Sequence, residues 1–295
     1  MITPDRLLPL WNAHRDAIEH PVKTFAFPKF GQVFEDKPYQ MGVINLSRQS
    51  TYRESIVHTV EGALYRGRRM TVEGAVMVDI GAESTDEQAD IVDTRRQIDS
   101  LVPVTKALAD ENILVSAETY HSEVAEAALE AGAGVINLTG RIDDRGFYEM
   151  IARHEAGLVL CYTPGENARS RTELPTSDVI VEEQMAFFKE RLVLATEAGI
   201  ERIWIDPGFG FALNLPDGPD RVRYQVESTL QAFRFRLLGW PVCVTMTASV
   251  YLFRDEVRCG ETSSATLALL SKANLLRSHE AARVQPVIEM LEMSS

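Results

Sequence analysis

The chain has 295 residues, 45% of them hydrophobic and 25% charged, a balance that supports a large buried core and excludes a disordered polymer. Its 43 acidic and 30 basic residues leave a net charge of −13, which argues against wrapping nucleic acid or adhering to an anionic membrane surface. The three cysteines, Cys161, Cys243 and Cys259, lie far apart with no C-x-x-C pair, so reduced thiols in a cytoplasm are the simplest reading.

The opening MITPDRLLPLWNAHRD reaches Asp16 without an apolar core of about 7 to 15 residues, so no signal peptide is expected. No window approaches the roughly 18 to 20 apolar residues of a membrane span. A helix is expected over Pro4 to Ile18, within an extension of residues 1–38 that would cap a barrel or pack on a partner. From there on, apolar runs rich in Val and Ile alternate with segments of helical spacing. Met41–Asn45 precedes a helix expected over Tyr52–Met70, Val76–Ile80 one over Asp93–Asp110, and Ile113–Glu118 one over Ser122–Ala131. Gly134–Leu138 precedes Gly146–His154, Leu158–Tyr162 precedes Asp178–Ala198, and Ile203–Asp206 precedes Arg221–Leu238. Pro241–Met246 with Ser263–Leu270, and Asn274–Arg277 with His279–Leu291, complete the series. Continuously apolar strands are those buried on both faces, as in parallel sheets. Eight strand-helix pairs in strict alternation imply an α/β fold, a (β/α)8 TIM barrel spanning residues 39–295.

A barrel builds its active site from the C-terminal ends of its strands, so polar residues ending apolar runs are the candidates. Asn45 ends the first run, Asp79 lies in the second and leads to Glu83, Ser84 and Thr85, and Glu118 ends the third. Asn137 lies in the fourth, Asp206 ends the sixth, and Arg277 ends the eighth with His279 two residues on. Each alone has a bland reading as a helix cap, turn former or surface ion-pair partner, and Asp79 is the one most readily explained by backbone hydrogen bonds. Carboxylates and carboxamides in register at one mouth suit a flat heterocycle with adjacent N–H donors, and Arg277 with His279 suits an anion. Gly208 and Gly210 let the chain turn after Asp206 and let a ring approach closely. The polar stretches Tyr162–Ser177 and Ala212–Asp220 read as loops at the mouth.

The segments MGVINLS, VDIGAEST, VSAETYHSEVAEAALEAGAGVINL, IWIDPGFGF and LRSHE, in this order, resemble the dihydropteroate synthase family, the pterin-binding barrels of folate synthesis. The resemblance implies a transferase that takes a pterin or reduced folate as substrate or cosubstrate, with magnesium as an optional ion at Asn45. It implies that Asn137, Asp206, Glu118, Phe211 and Arg277 hold the pterin. Asn45, Thr85, Arg277 and His279 would then face the anion, and Asp206, Glu118 and Asn45 would serve catalysis. A homodimer is the assembly it implies.

Four positions depart from the family pattern. The first loop reads NLSRQST in place of Asn-Val-Thr-Pro-Asp-Ser-Phe, and Glu-Ser-Thr is followed by Asp86 and Glu87 in place of Arg-Pro. The third strand ends in Glu118 in place of Asp, and Thr247-Ala248-Ser249-Val250 replaces Ser-Arg-Lys-Ser. Losing these cations costs diphosphate binding about 1.5 to 3 kcal/mol per charged hydrogen bond. Arg169 and Arg171 could restore charge if the loop after the fifth strand closes as a lid. The expected activity is therefore pterin or folate group transfer to an acceptor other than para-aminobenzoate. Authentic dihydropteroate synthesis and catalytically silent pterin binding are the alternatives.

Overall fold

A computed structural model describes residues 3–50, 52–85, 89–170, 177–210, 218–246 and 250–293. Two short helices, α1 (Pro4–Ala13) and α2 (Arg15–Glu19), open the chain. They are followed by a hairpin of β1 (Phe25–Phe27) and β2 (Gln32–Phe34), so the extension expected to be helical also carries sheet. Its turn passes through Gly31 at φ 65°, a left-handed value that glycine adopts without steric cost.

Eight parallel strands then form one sheet. They are β3 (Tyr39–Asn45), β4 (Ala75–Gly81), β5 (Val115–Thr119), β6 (Val135–Leu138), β7 (Gly157–Cys161), β8 (Ile203–Asp206), β9 (Cys243–Thr245) and β10 (Leu275–Ser278). Their spatial order is β8-β7-β6-β5-β4-β3-β10-β9. The two ends of this order meet where Ile205 bridges Val242 and donates its N–H to the Pro241 carbonyl at 2.9 Å. That contact closes the sheet into the (β/α)8 barrel which the eight apolar runs imply. Every residue of β5, β6, β7 and β8 is buried, as expected of strands covered on both faces.

The outer layer comprises α3 (Val60–Val72), α4 (Thr94–Asp110), α5 (Ser122–Glu130), α6 (Arg145–Arg153), α7 (Ser177–Glu197), α8 (Pro219–Thr229), α9 (Val250–Phe253), α10 (Gly260–Leu270) and α11 (Ala281–Glu292). The N-terminal helix expected over Pro4 to Ile18 breaks at His14, and two helices of the outer layer differ from the sequence expectation. The first starts at Val60 instead of Tyr52, because Thr59 caps it by accepting the Gly62 N–H at 3.0 Å. Arg53–Ser55 is instead a 3-10 turn, and just beyond it the Val57 N–H reaches the Asn45 carbonyl at 2.9 Å. The helix expected over Arg221–Leu238 divides, with a 3-10 segment over Ala232–Leu238. Arg236 on that segment is buried and donates to Asp36, Asn274 and the His20 carbonyl, tertiary contacts that periodicity does not encode.

The hairpin packs against the N-terminal ends of the strands. Phe27 stacks on Trp204 at 6.0 Å, while Phe25 and Phe34 meet the same indole edge-on at 4.8 and 4.9 Å. Phe30 and Phe34 join Met41, Met77, Leu114, Val135, Val159 and Leu275 in one apolar cluster. Apolar packing thus fills the lower barrel and leaves the opposite end for polar chemistry. Among the described residues, no helix is long and apolar enough to cross a membrane.

A candidate active site at the C-terminal ends of the strands

Asp79 is the hub of the barrel mouth. Its Oδ1 accepts from Ser116 at 2.6 Å, and its Oδ2 accepts from Asn137 Nδ2 at 3.1 Å and from Arg277 Nε at 2.8 Å. The reading of Asp79 as a backbone-bonded turn former is thereby corrected: it joins side chains from β5, β6 and β10. Arg277 is not a surface ion-pair partner either, since its side chain is 16% exposed against a fully buried carboxylate. Burial alone lowers the guanidinium pKa, but Asp79, Glu118 and Asp206 outweigh it, raising the value and keeping Arg277 cationic.

Asp206, 1% exposed, ends β8. One carboxylate oxygen accepts the Gly208 N–H at 2.8 Å, and the other accepts the Thr245 hydroxyl at 3.3 Å from β9. Each oxygen keeps acceptor capacity for a further donor. Burial raises its pKa, against the Gly208 hydrogen bond and the Arg277 charge, which lower it. Cys161 and Cys243 flank it as buried thiols, pushed up by burial and by the Asp206 charge. The Cys161 thiol donates to Asn137 Oδ1 at 3.2 Å, so Asn137 is oriented from both sides.

Glu118 accepts the Thr139 hydroxyl. Burial pushes its pKa up to about 7, aided by Asp79 and Glu83 and opposed by the Thr139 bond and Arg277. The carboxyl reaches across Gly81, where an added Cβ would stand 2.5 Å from Glu118 Oε2. Such a carboxyl has a protonation state poised for transfer near neutral pH. Glu83, beside it, accepts the Val92 N–H at 2.8 Å and the Tyr120 hydroxyl.

The rim carries the remaining candidates. Asn45 Nδ2 donates to buried Ser55, and its carboxamide oxygen has no side-chain partner among the described residues. Among the described residues, no group of three or more His, Cys, Asp or Glu side chains is arranged to hold a metal ion. A magnesium ion at this end would therefore take Asn45 as its protein ligand and draw its other oxygens from a diphosphate and water. Thr85 is half-buried at the edge of the second loop. Arg169 does not project into the mouth as a free cation, because it donates to the Ser84 carbonyl at 2.6 Å and to that of Ala89. Gln49 joins the first loop to the second, accepting the Asp90 N–H at 2.7 Å. His279 lies before α11, its ring stacked on Tyr52 and its Nδ1 2.7 Å from Glu261.

Phe211 lies outside the described residues, as do Thr51, Asp86, Glu87, Arg171, Thr247, Ala248 and Ser249. The structure gathers Asp79, Glu118, Asn137, Asp206 and Arg277 into one hydrogen-bonded and electrostatically linked floor, with Asn45 at the end of its strand and Thr85 and His279 in the loops after theirs. It adds partners that the sequence did not single out: Ser55, Ser116, Thr139, Thr245, Tyr52 and Glu261. Thr139 and Thr245 follow or end apolar runs and carried the same signal as the chosen residues. Glu261 sits in a helix and carried none.

A family model described as "Pterin binding enzyme" matches residues 41–288. Dihydropteroate synthase of Streptococcus pyogenes serotype M3 is 30% identical over 271 residues, covering 88% of this chain and 96% of its own length. Among solved structures, the Yersinia pestis dihydropteroate synthase crystallised with a sulfonamide drug complex superposes with a TM-score of 0.79 at 22% identity, a likeness of fold. It covers 92% of this chain and 98% of that one. The Xanthomonas albilineans dihydropteroate synthase with 4-aminobenzoic acid superposes with a TM-score of 0.72 at 28% identity, over 90% of this chain and 96% of that one.

Proposed function

Given that this chain belongs to the pterin-binding enzyme family and is a transferase of the dihydropteroate synthase type, we propose that it carries out pterin- or folate-dependent group transfer to an acceptor other than para-aminobenzoate. The observation that carries the pterin half of this reading is Asp206, a buried carboxylate whose two oxygens are oriented by Gly208 and Thr245. An ionised carboxylate takes two adjacent N–H donors of a pyrimidine edge side by side. Asn137 supplies a mixed donor and acceptor beside it, and Glu118 supplies or accepts a proton at a ring nitrogen.

With a pterinylmethyl diphosphate as donor, the bond from the methylene to its leaving-group oxygen breaks and a bond from the methylene to the acceptor nitrogen forms, so the whole pterinylmethyl group is transferred. The nitrogen releases one proton, and the leaving group departs with the bonding electron pair. Positive charge that develops on the pterin faces Asp206, Asp79 and Glu118, which are fixed in place before reaction. Arg277 and His279 face the departing anion, and magnesium, when bound, would neutralise diphosphate charge beside Asn45.

The altered acceptor is supported by the sequence at positions that the resemblance assigns to the amine and leaving-group end. Asp86 and Glu87 stand where the resemblance leads one to expect Arg-Pro, no lysine occurs over 247–250, and Arg169 is committed to backbone carbonyls. A second reading, authentic dihydropteroate synthesis, is favoured by the 30% identity that runs over 96% of the Streptococcus pyogenes enzyme. Turnover of dihydropterin diphosphate with para-aminobenzoate selects the second reading. Pterin binding with turnover of a different amine or folate selects the first, and binding without turnover of any of them rejects both. Asp206→Ala should weaken pterin binding at least about 100-fold by calorimetry, the loss of two charge-assisted hydrogen bonds; unchanged affinity removes the pterin assignment itself. A homodimer in a reducing cytoplasm completes the proposal, and sedimentation at micromolar concentration tests the dimer.

A further inference from the structure

The His279 ring is fixed on several sides by groups unrelated to the pterin floor. Glu261, fully buried near the start of α10, accepts the backbone N–H of His279 at 3.0 and 3.1 Å and that of Glu280 at 3.0 Å. Its Oε1 also lies 2.7 Å from His279 Nδ1. A carboxylate that already accepts two backbone N–H groups has only acceptor capacity to offer, so Nδ1 carries the hydrogen. Tyr52 covers the ring face at a centroid distance of 4.3 Å and an interplanar angle of 9°. Its hydroxyl donates to Glu280 at 2.9 Å, and Arg258 grips Glu280 with two further bonds at 2.8 and 2.6 Å. Arg66 holds the His279 carbonyl at 3.1 Å. The ring's second nitrogen, Nε2, has no partner among the described residues, and the side chain is 13% exposed.

We propose that Glu261 and Tyr52 are positioning residues for His279: Glu261 commits Nδ1–H to the interior, Tyr52 clamps the ring face, and Nε2 is thereby offered to an anionic oxygen of the substrate. The last step rests on the functional reading above, in which this rim meets the leaving group. The same 52–55 turn also orients a second rim residue, since Ser55 accepts from Asn45 and donates to the Tyr52 carbonyl at 2.6 Å. One turn thus sets both side chains at the anion end.

The test is ¹⁵N-histidine NMR on the full chain, first without ligand and then titrated with inorganic pyrophosphate, with His279 assigned by its loss in His279→Gln. In the wild type the neutral ring should be protonated at Nδ1, and pyrophosphate should move its Nε2 signal. Glu261→Gln places an NH2 where one oxygen accepted. The backbone N–H groups cannot yield but the imidazole can exchange its proton, so this variant should show the Nε2–H tautomer. Its pyrophosphate affinity should fall at least about tenfold, the scale of lost outer-shell partners, with pterin affinity unchanged. A wild-type ring protonated at Nε2, or unchanged pyrophosphate affinity in Glu261→Gln, overturns the proposal. Tyr52→Leu leaves Glu261 in place and should keep the Nδ1–H form while weakening pyrophosphate severalfold; equal affinity overturns the clamp. Should wild type bind neither pterin nor pyrophosphate, the functional reading fails, and the ligand-free spectra still decide whether Glu261 sets the tautomer.

Discussion

Glu118 and Asp206 share the floor of the mouth, both buried and both with raised pKa values, yet their hydrogen bonds differ. Asp206 receives a backbone N–H, which favours its ionised form, whereas Glu118 receives one hydroxyl and feels Asp79 and Glu83. The consequence for stability has a definite sign. The unfolded chain ionises this Glu near its ordinary 4.5, and the folded chain holds the proton until about pH 7. Between those values the unfolded state binds fewer protons, so stability is full below 4.5, declines as pH rises, and levels off above 7. At 1.36 kcal/mol per pKa unit the decline attributable to Glu118 is about 3 kcal/mol. Glu118→Gln should flatten that part of the profile, measured by urea denaturation across the interval; an unaltered slope would show that the carboxyl is not held protonated. The residues of this floor were legible because each stands at or near the end of an apolar run. Their pairing was not, since the spacing of Asp79 and Arg277 along the chain says nothing of the 2.8 Å between them.

At the scale of elements, all eight strands coincide with the apolar runs to within a few residues, because burial on both faces writes itself directly into composition. The boundaries of helices were less legible. The apolar spacing over Tyr52–Met70 hides the fact that Ser55 and Tyr52 are drawn to Asn45 and His279, so the helix waits for Thr59. The cap is separable from the site. Thr59→Ala should cost about 1 kcal/mol by denaturant melting with little change in pterin affinity, as the hydroxyl satisfies one N–H of the first turn. Loss of binding alongside that small cost would mean that α3 and the 52–55 turn are coupled. The hairpin at residues 25–34 leaves no mark in the sequence pattern, because strands of three residues are too short for alternation to register.

Across the molecule, the hairpin and the mouth lie at opposite ends of one barrel. Phe34 is 2% exposed and packs against Trp204 at the N-terminal end of the strands. Phe34→Ala should destabilise by about 3 to 5 kcal/mol in chemical denaturation, the cost of a large cavity, while leaving pterin affinity within a few fold at temperatures where the chain stays folded. A proportionate collapse of affinity would show that the two ends communicate. The barrel is also unevenly sewn. Seven neighbouring strand pairs share ladders of three or more residue pairs, and the eighth junction, between β8 and β9, has the bridge at Ile205 and Val242. Above that junction sit Asp206 on one side and Thr245 on the other, joined by a 3.3 Å hydrogen bond. A heterocycle docked on Asp206 would act as a rivet across the weakest stitch. Occupancy should then be read as slower amide exchange at Ile205 and Cys243 more than elsewhere, beyond the uniform gain that mass action gives any ligand.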